Sequence, residues 1–456
     1  MKIVAAALMT CLLFATTSQA AEVSERNVRA QMEFLAGDAM QGRGSGTLFE
    51  RVAAEYVASQ FKQFGLDPVN GEYVQTINVP GKTVLEALKF DGAIGAKAAL
   101  GSNVAALVVA SERVAGPLKK STTAYPIAKD AVMFIDLPAD TKLQDFFTQV
   151  GPLVKNDAAA VIVRAPDAFM EDWSNFASRT VTKDATSNAL FVDSELASML
   201  RAMPDGTPLS FNTSFKKLPD TQTWNAVGKL PGADGKVAAQ SIVLSAHLDH
   251  LGVRANASGD DKIFNGADDD ASGTVAVLEL ARALSAERRP KRTVYFVAFG
   301  SEEAGGYGSK AFLSQLPFPR ENFIANLQFE MIGRPDEKVR ADELWLTGYE
   351  RSNLGAELAK RGAKLVQDPH PDQKFFQRSD NYTFARQGII AHTVSSYGLH
   401  KDYHNASDDL SRIDFKHMTK SINSMIKPIQ WLANSTLVPA WLPGQSPVPS
   451  SNGAKP

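Results

Sequence analysis

Apolar positions near the start of the chain recur at helical spacing. Val28 to Leu35 forms one such stretch, and Leu48 to Phe64 a second, with Val52, Tyr56, Val57, Phe61 and Phe64 close to a 3.6-residue period. Gly65 follows as a C-cap, and the intervening MQGRGSGT, with its three glycines, predicts a loop. From about residue 92 to 218 the pattern changes to short β-type runs (Ala105–Val109, Val132–Ile135, Ala160–Val163) spaced by Lys, Pro and Asp. This predicts an inserted, smaller, β-rich domain, with one larger undivided domain as the alternative. From residue 223 on, apolar runs at Ser241–Ala246, Thr293–Phe299, Phe323–Phe329 and Ile389–Val394 read as strands, and Thr274–Ala286 and Ser379–Gln387 as helices. Uniformly apolar strands alternating with helices predict an α/β fold, a mixed and mostly parallel central sheet with helices on both faces. Phe415, Met418, Ile422, Met425, Ile429 and Leu432 mark a last amphipathic helix, kinked at Pro428. The expected organisation is a discontinuous domain over 21–91 and 219–436, the insert over 92–218, and a flexible tail rich in Pro, Ser and Gly over 437–456.

The first twenty residues fit a secretory signal: Lys2 is the positive end, Ile3 to Ala15 the apolar stretch, and Ser18-Gln19-Ala20 a small-x-small cleavage site. The stretch is shorter than the roughly 18 apolar residues that span a bilayer, so export to a periplasm or the medium is expected, with no stable membrane insertion after cleavage. The single cysteine, Cys11, lies inside this segment, so a mature chain has no thiol and builds any metal site from histidine and carboxylate. A net charge of −2 across 456 residues gives no reason to invoke nucleic acid.

Chemistry collects just past the carboxyl ends of the predicted strands, where open α/β sheets bind ligands. His247-Leu248-Asp249-His250 ends an apolar run. Strand alternation places His247 and Asp249 on one side, His247 toward a metal and Asp249 on its other ring nitrogen, and sends His250 elsewhere. Asp268-Asp269-Asp270 precedes a helix; N-capping explains one or two of three adjacent acids, and a cation explains the run better. Glu302-Glu303 follows another strand, one suited to a metal and its neighbour to a general base. Glu330 interrupts a buried run, and His404 sits in the polar loop YHNASDD. His247, Asp269, Glu303, Glu330 and His404 together make a thiol-free set that favours zinc, with manganese and cobalt open. Five ligands exceed the three usual for one catalytic zinc, which a carboxylate bridging two ions resolves.

In this order the five motifs resemble the M28 family of zinc peptidases, which includes bacterial aminopeptidases and glutamate carboxypeptidase relatives. The resemblance covers nearly all of residues 223–412. It implies two zinc ions bridged by Asp269, one completed by His247 and Glu330 and the other by Glu303 and His404. It further implies that Glu302 is the general base toward a water shared by the ions, that Asp249 orients His247, that Tyr403 helps stabilise the oxyanion, and that Asp269-Asp270 is a cis peptide. Many relatives have aspartate where Glu330 stands, and the extra methylene bears on metal separation. The insert falls where many members carry a protease-associated domain, with a role in restricting access to peptide ends. The expected substrate is a peptide or small amide cleaved at its N-terminus. A carboxypeptidase or dipeptidase with Arg378 as carboxylate partner is the close rival, and a one-zinc glutaminyl cyclotransferase or an inactive binding protein the remoter ones. Oligomeric state and side-chain preference are open.

Overall fold

A strand covered on both faces needs apolar side chains pointing both ways, and Ser241–His247 meets that demand. The computed structural model describes residues 22–123, 127–150, 157–170, 173, 181, 187–255, 257, 259–398 and 400–448. The expected signal segment and Cys11 lie outside the described residues. Among the described residues no helix is long and apolar enough to cross a membrane.

The chain divides into two units. One joins the residues up to Ile77 with Gln222–Arg254 and everything from Asp261; the other holds Asn78–Thr221 with Ala255–Asp260. The first is built on eight strands in the order Val74–Val79, Thr221–Leu230, Thr293–Phe299, Ser241–His247, Phe323–Phe329, Ala391–Ser395, Leu344–Leu346, Leu365–Gln367. The four central ones run parallel, with His247 opposite Phe299. Antiparallel pairing enters at Thr221–Leu230 and at Leu344–Leu346, so the sheet is mixed around a parallel centre.

Alternate residues of each central strand feed different cores. Val294, Phe296 and Ala298 join Ile242, Leu244 and Ala246 under the helices Glu25–Leu35, Leu48–Gln63, Gly273–Ser285 and Phe415–Asn434. Tyr295, Val297 and Phe299 face the other way, against Phe312 and Phe384 of Tyr307–Ser314 and Asn381–Ala385. Ser24 caps the first helix by accepting from the Asn27 amide, and the last helix continues through Pro428. All four parallel strands end on the same edge, which brings His247, the loop after Phe299, Glu330 and the loop after Ser395 together.

The second unit has seven strands, parallel in the middle from Arg113–Ser121 through Val132–Ile135 and Ala160–Arg164 to Ala189–Val192, and antiparallel at both edges. Leu196, Ala197 and Leu200 of the helix Ser194–Ala202 cover one face, and Phe146 and Val150 of Leu143–Val150 the other. It begins at Asn78 because Thr83–Phe90 pairs with Pro208–Lys217, ahead of the change in composition.

Residues 437–448, expected as part of a flexible tail, are attached in part. The Leu442 amide donates to the Arg351 carbonyl at 2.8 Å, Trp441 Nε1 donates to the Gly388 carbonyl at 3.0 Å, and the Trp441 ring lies 5.4 Å from that of His392. Proline-rich composition signals the lack of regular structure and misses an aromatic anchor.

His392 is fully buried in that contact, its Nε2 2.7 Å from Ser352 Oγ and its Nδ1 2.7 Å from the Thr347 carbonyl. Burial, aided by Arg351, pushes its pKa down from 6.5 to about 4 although the Thr347 carbonyl acts the other way. The folded chain therefore holds His392 neutral while the unfolded chain takes up a proton as the pH falls from 6.5 toward about 4. Stability is lost through that window, by up to about 3 kcal/mol. Urea melts between pH 7 and 4 should show a shallower loss in His392→Gln than in wild type; parallel curves would exclude this linkage.

Candidate metal centre

The strand ends converge on Asp269. Its Oδ1 lies 3.1 Å from His247 Nε2, and its Oδ2 lies 3.2 Å from His404 Nε2 and 3.8 Å from His250 Nδ1. Glu303 Oε1 is 3.1 Å from both His404 Nε2 and His250 Nδ1. Two ligand triads result, His247–Asp269–Glu330 and His250–Asp269–Glu303, each with its donor atoms within 4.8 Å of one another and both including Asp269. The expected ligands His247, Asp269, Glu303, Glu330 and His404 all come to this one place, and the longer side chain of Glu330 reaches it.

The donors fit a divalent cation. Glu303 Oε1, Glu330 Oε2, His404 Nε2 and both ring nitrogens of His250 are buried without a hydrogen-bond partner. Uncompensated burial of this kind is costly, and imidazoles mixed with carboxylates suit a zinc-like ion. The acids show the strain of crowding. Burial, with Asp269 and Asp380 adding to it, raises the Glu330 pKa to about 7, and burial together with Asp380, Glu330 and Glu303 holds Glu302 well above the carboxylate range. Burial opposes the charged form of His247 too, but Asp249 and Asp269 outweigh it and lift the imidazolium well above its usual range.

The three adjacent aspartates take three different jobs. Asp269 faces the donors, and the Asp269–Asp270 peptide is cis. Asp270 accepts from the amides of His247 (3.2 Å), Gly273 (2.9 Å) and Met331 (3.1 Å), capping the following helix and joining two strand ends to it. Asp268 accepts from the Gly333 amide at 2.7 Å and lies 3.0 Å from His400 Nε2.

Two expectations change. Asp249 meets His247 Nδ1 through its backbone carbonyl at 3.1 Å, while its carboxylate, 3.6 Å away, accepts from the amides of Glu302 (3.0 Å) and Glu303 (3.3 Å) and from Ser45 Oγ (2.5 Å). Asp249 thus positions the glutamate pair as much as the histidine. His250 faces the donors because the strand ends at His247, so the alternation that would turn it away no longer applies. Tyr403 stacks on His404, ring centroids 3.9 Å apart, and borders a small pocket with Glu330, Met331, Trp345, Phe375 and Arg378. Arg378 lies over the Phe375 ring at 5.0 Å.

Several supports have no motif of their own. Arg43, from the glycine-rich stretch, is fully buried and donates to the carbonyls of Leu35, Leu248, Asn265 and Gly266. Asp408 accepts from the amides of Asp268 and Asp269 at 3.1 Å each and pairs with Arg334 at 2.9 Å. Glu50 accepts from the Ser301 amide and hydroxyl and from Thr223 Oγ1, and burial followed by the nearby Asp249 raises its pKa to about 8. A lone charge in a loop or at a helix start carries no periodicity, so only contact reveals these roles; Asp408 alone stood in a motif that could have found it.

The mixed histidine and carboxylate donors thus gather at the carboxyl edge of a parallel-centred α/β sheet, where such folds bind ligands, as a set that could hold zinc. The sequence profile of Peptidase family M28 matches residues 225–427 of this chain. Among curated relatives, Leupeptin-inactivating enzyme 1 of Streptomyces exfoliatus is 26% identical over 238 residues, 49% of this chain and 51% of the relative. Leucine aminopeptidase 1 of Uncinocarpus reesii is 28% identical over 209 residues, 43% of this chain and 51% of the relative. The matched region thus spans about half the length of these two relatives. An aminopeptidase from Aneurinibacillus sp. strain AM-1 shares the fold at a TM-score of 0.60, with 20% identity over 91% of this chain and 96% of that one. A zinc aminopeptidase from Bacillus subtilis does so at 0.57, with 18% identity over 91% and 96%.

Replacing Arg43 by Met leaves four buried carbonyls without their donor, and each such loss costs about 1–3 kcal/mol before relaxation. Urea unfolding should show Arg43→Met less stable by more than about 3 kcal/mol, with Arg43→Lys recovering less than half because an ammonium lacks the guanidinium fork. Wild-type stability in Arg43→Lys would show that charge alone suffices.

Proposed function

We propose that the protein is an exported, zinc-dependent aminopeptidase that removes N-terminal residues from peptides. The observation that carries the reading is the sharing of Asp269 between two ligand triads beside the Glu302-Glu303 pair. His247 and Glu330 would hold one ion, Glu303 and His404 the other, and Asp269 both. Zinc bound there supplies Lewis acidity and lowers the pKa of a water.

Glu302 accepts the proton of the attacking water as its oxygen adds to the scissile carbonyl carbon. It returns that proton to the amine nitrogen as the C–N bond breaks, leaving a free amino acid and a shortened peptide. Asp249, which accepts from the Glu302 amide, sets the position of this base. The Tyr403 hydroxyl is assigned to the developing oxyanion. The pocket beside Glu330, lined by Met331, Trp345, Phe375 and Tyr403, takes the first side chain. The names of the curated relatives and structural neighbours point the same way. The inserted unit is read as a protease-associated domain, and the placement outside the cytoplasm rests on the N-terminal segment.

Arg378 on the pocket wall favours a second reading, a carboxypeptidase or dipeptidase that binds a terminal carboxylate. Hydrolysis of aminoacyl anilides, their N-acetylated forms and C-terminally blocked peptides separates the two. Activity abolished by acetylation alone supports the aminopeptidase; activity that ignores acetylation and needs a free C-terminus supports the rival. Glu302→Gln should keep its metal content, measured by elemental analysis, and lose about 10²- to 10⁴-fold in kcat. A fully metallated, active variant would remove Glu302 from the role of base.

A further inference from the structure

His250 belongs to none of the five positions assigned to metal above, yet it has the features of a ligand. Its side chain is completely buried, and neither ring nitrogen has a hydrogen-bond partner. Nδ1 lies 3.1 Å from Glu303 Oε1 and 3.8 Å from Asp269 Oδ2, and the ring meets that of His404 edge to face with centroids 5.6 Å apart. The backbone is arranged to admit the ring. The His250 amide donates to the Arg43 carbonyl at 3.2 Å, and Gly266 lies against the ring, where an added Cβ would come within 2.4 Å of His250 Cγ. Gly266 also has φ of +57°, so no other residue is accommodated there without strain.

A buried imidazole with an unpaired nitrogen is costly, and the acceptors it faces are themselves ligands in waiting. We infer that His250 is a sixth metal-binding residue, coordinating through Nδ1 the ion held by Asp269, Glu303 and His404. The two metal positions are then unequal. One has four protein ligands, the number typical of zinc sites that are closed and retained; the other has His247, Glu330 and the shared Asp269, the three ligands plus an open position typical of catalytic sites. The closed position is the tighter and more slowly exchanging of the two, and the open one is where substrate and water change places. This rests on the two-ion reading above.

Equilibrium dialysis of zinc into the metal-free full-length protein, with His250→Ala and His250→Gln in parallel, tests the inference. Wild type is expected to take up two ions of unequal affinity. Both variants should keep the weaker ion unchanged and lose at least about tenfold in affinity for the tighter one. Because a buried histidine can be needed for folding, a second measurement uses wild type alone. With an NMR-active cadmium isotope and nitrogen-labelled histidines, three imidazoles should show scalar coupling to cadmium, those of His247, His250 and His404. Coupling to only two, with both variants binding two ions as wild type does, overturns the role of His250 and leaves the two-ion reading intact. A wild-type chain that binds fewer than two ions overturns both.

Discussion

Like charges that must be buried together form the constraint on which this structure depends. Asp269, Glu302, Glu303 and Glu330 are drawn to one end of a sheet by the parallel direction of its central strands, and His247, His250 and His404 are packed among them. Carboxylates at such separations repel unless protonated or neutralised, which is why burial and mutual repulsion push Glu302 and Glu330 upward while the imidazoles that touch Asp269 are drawn toward the charged form. A divalent cation relieves both tendencies at once, since it neutralises the acids and ligates the histidines in their neutral form.

Holding such a group in place falls to residues outside it. Asp270, Asp268 and Asp408 accept amide hydrogens from the loops that carry the ligands, so the backbone around Asp269 is fixed by carboxylates that do not themselves face the donors. Asp249 performs the same service for Glu302 and Glu303, and Glu50 for Ser301 just before them. Arg43 works with the opposite sign: its guanidinium collects four carbonyls from segments far apart in the chain. These contacts convert loop ends, usually the most mobile parts of an α/β fold, into a preorganised frame.

Long apolar runs made the central strands legible from sequence, because a strand buried on both faces has little freedom in composition; Thr293–Phe299 and Phe323–Phe329 were placed to the residue. The candidate metal-facing positions drew attention in a different way. Clustered acids and histidines just past strand ends marked the candidates as a group, and the resemblance of the ordered motifs to the M28 peptidases picked Asp269, Glu303 and His404 from among them. The Pro- and Ser-rich end was harder to read, as composition reports the absence of regular structure but not whether a residue such as Trp441 finds a place to pack.

By itself, then, the sequence determined where the strands run and singled out candidate binding residues, the first from local periodicity and the second from the order of unusual side chains past the strand ends. Only the tertiary structure decided which way His250 faces, what Asp268 and Asp270 hold on either side of Asp269, and what Arg43, Glu50 and Asp408 hold. Each of those depends on where a strand ends or a loop turns, and on partners as distant in the chain as Asp408 is from Asp269, so no local pattern records it.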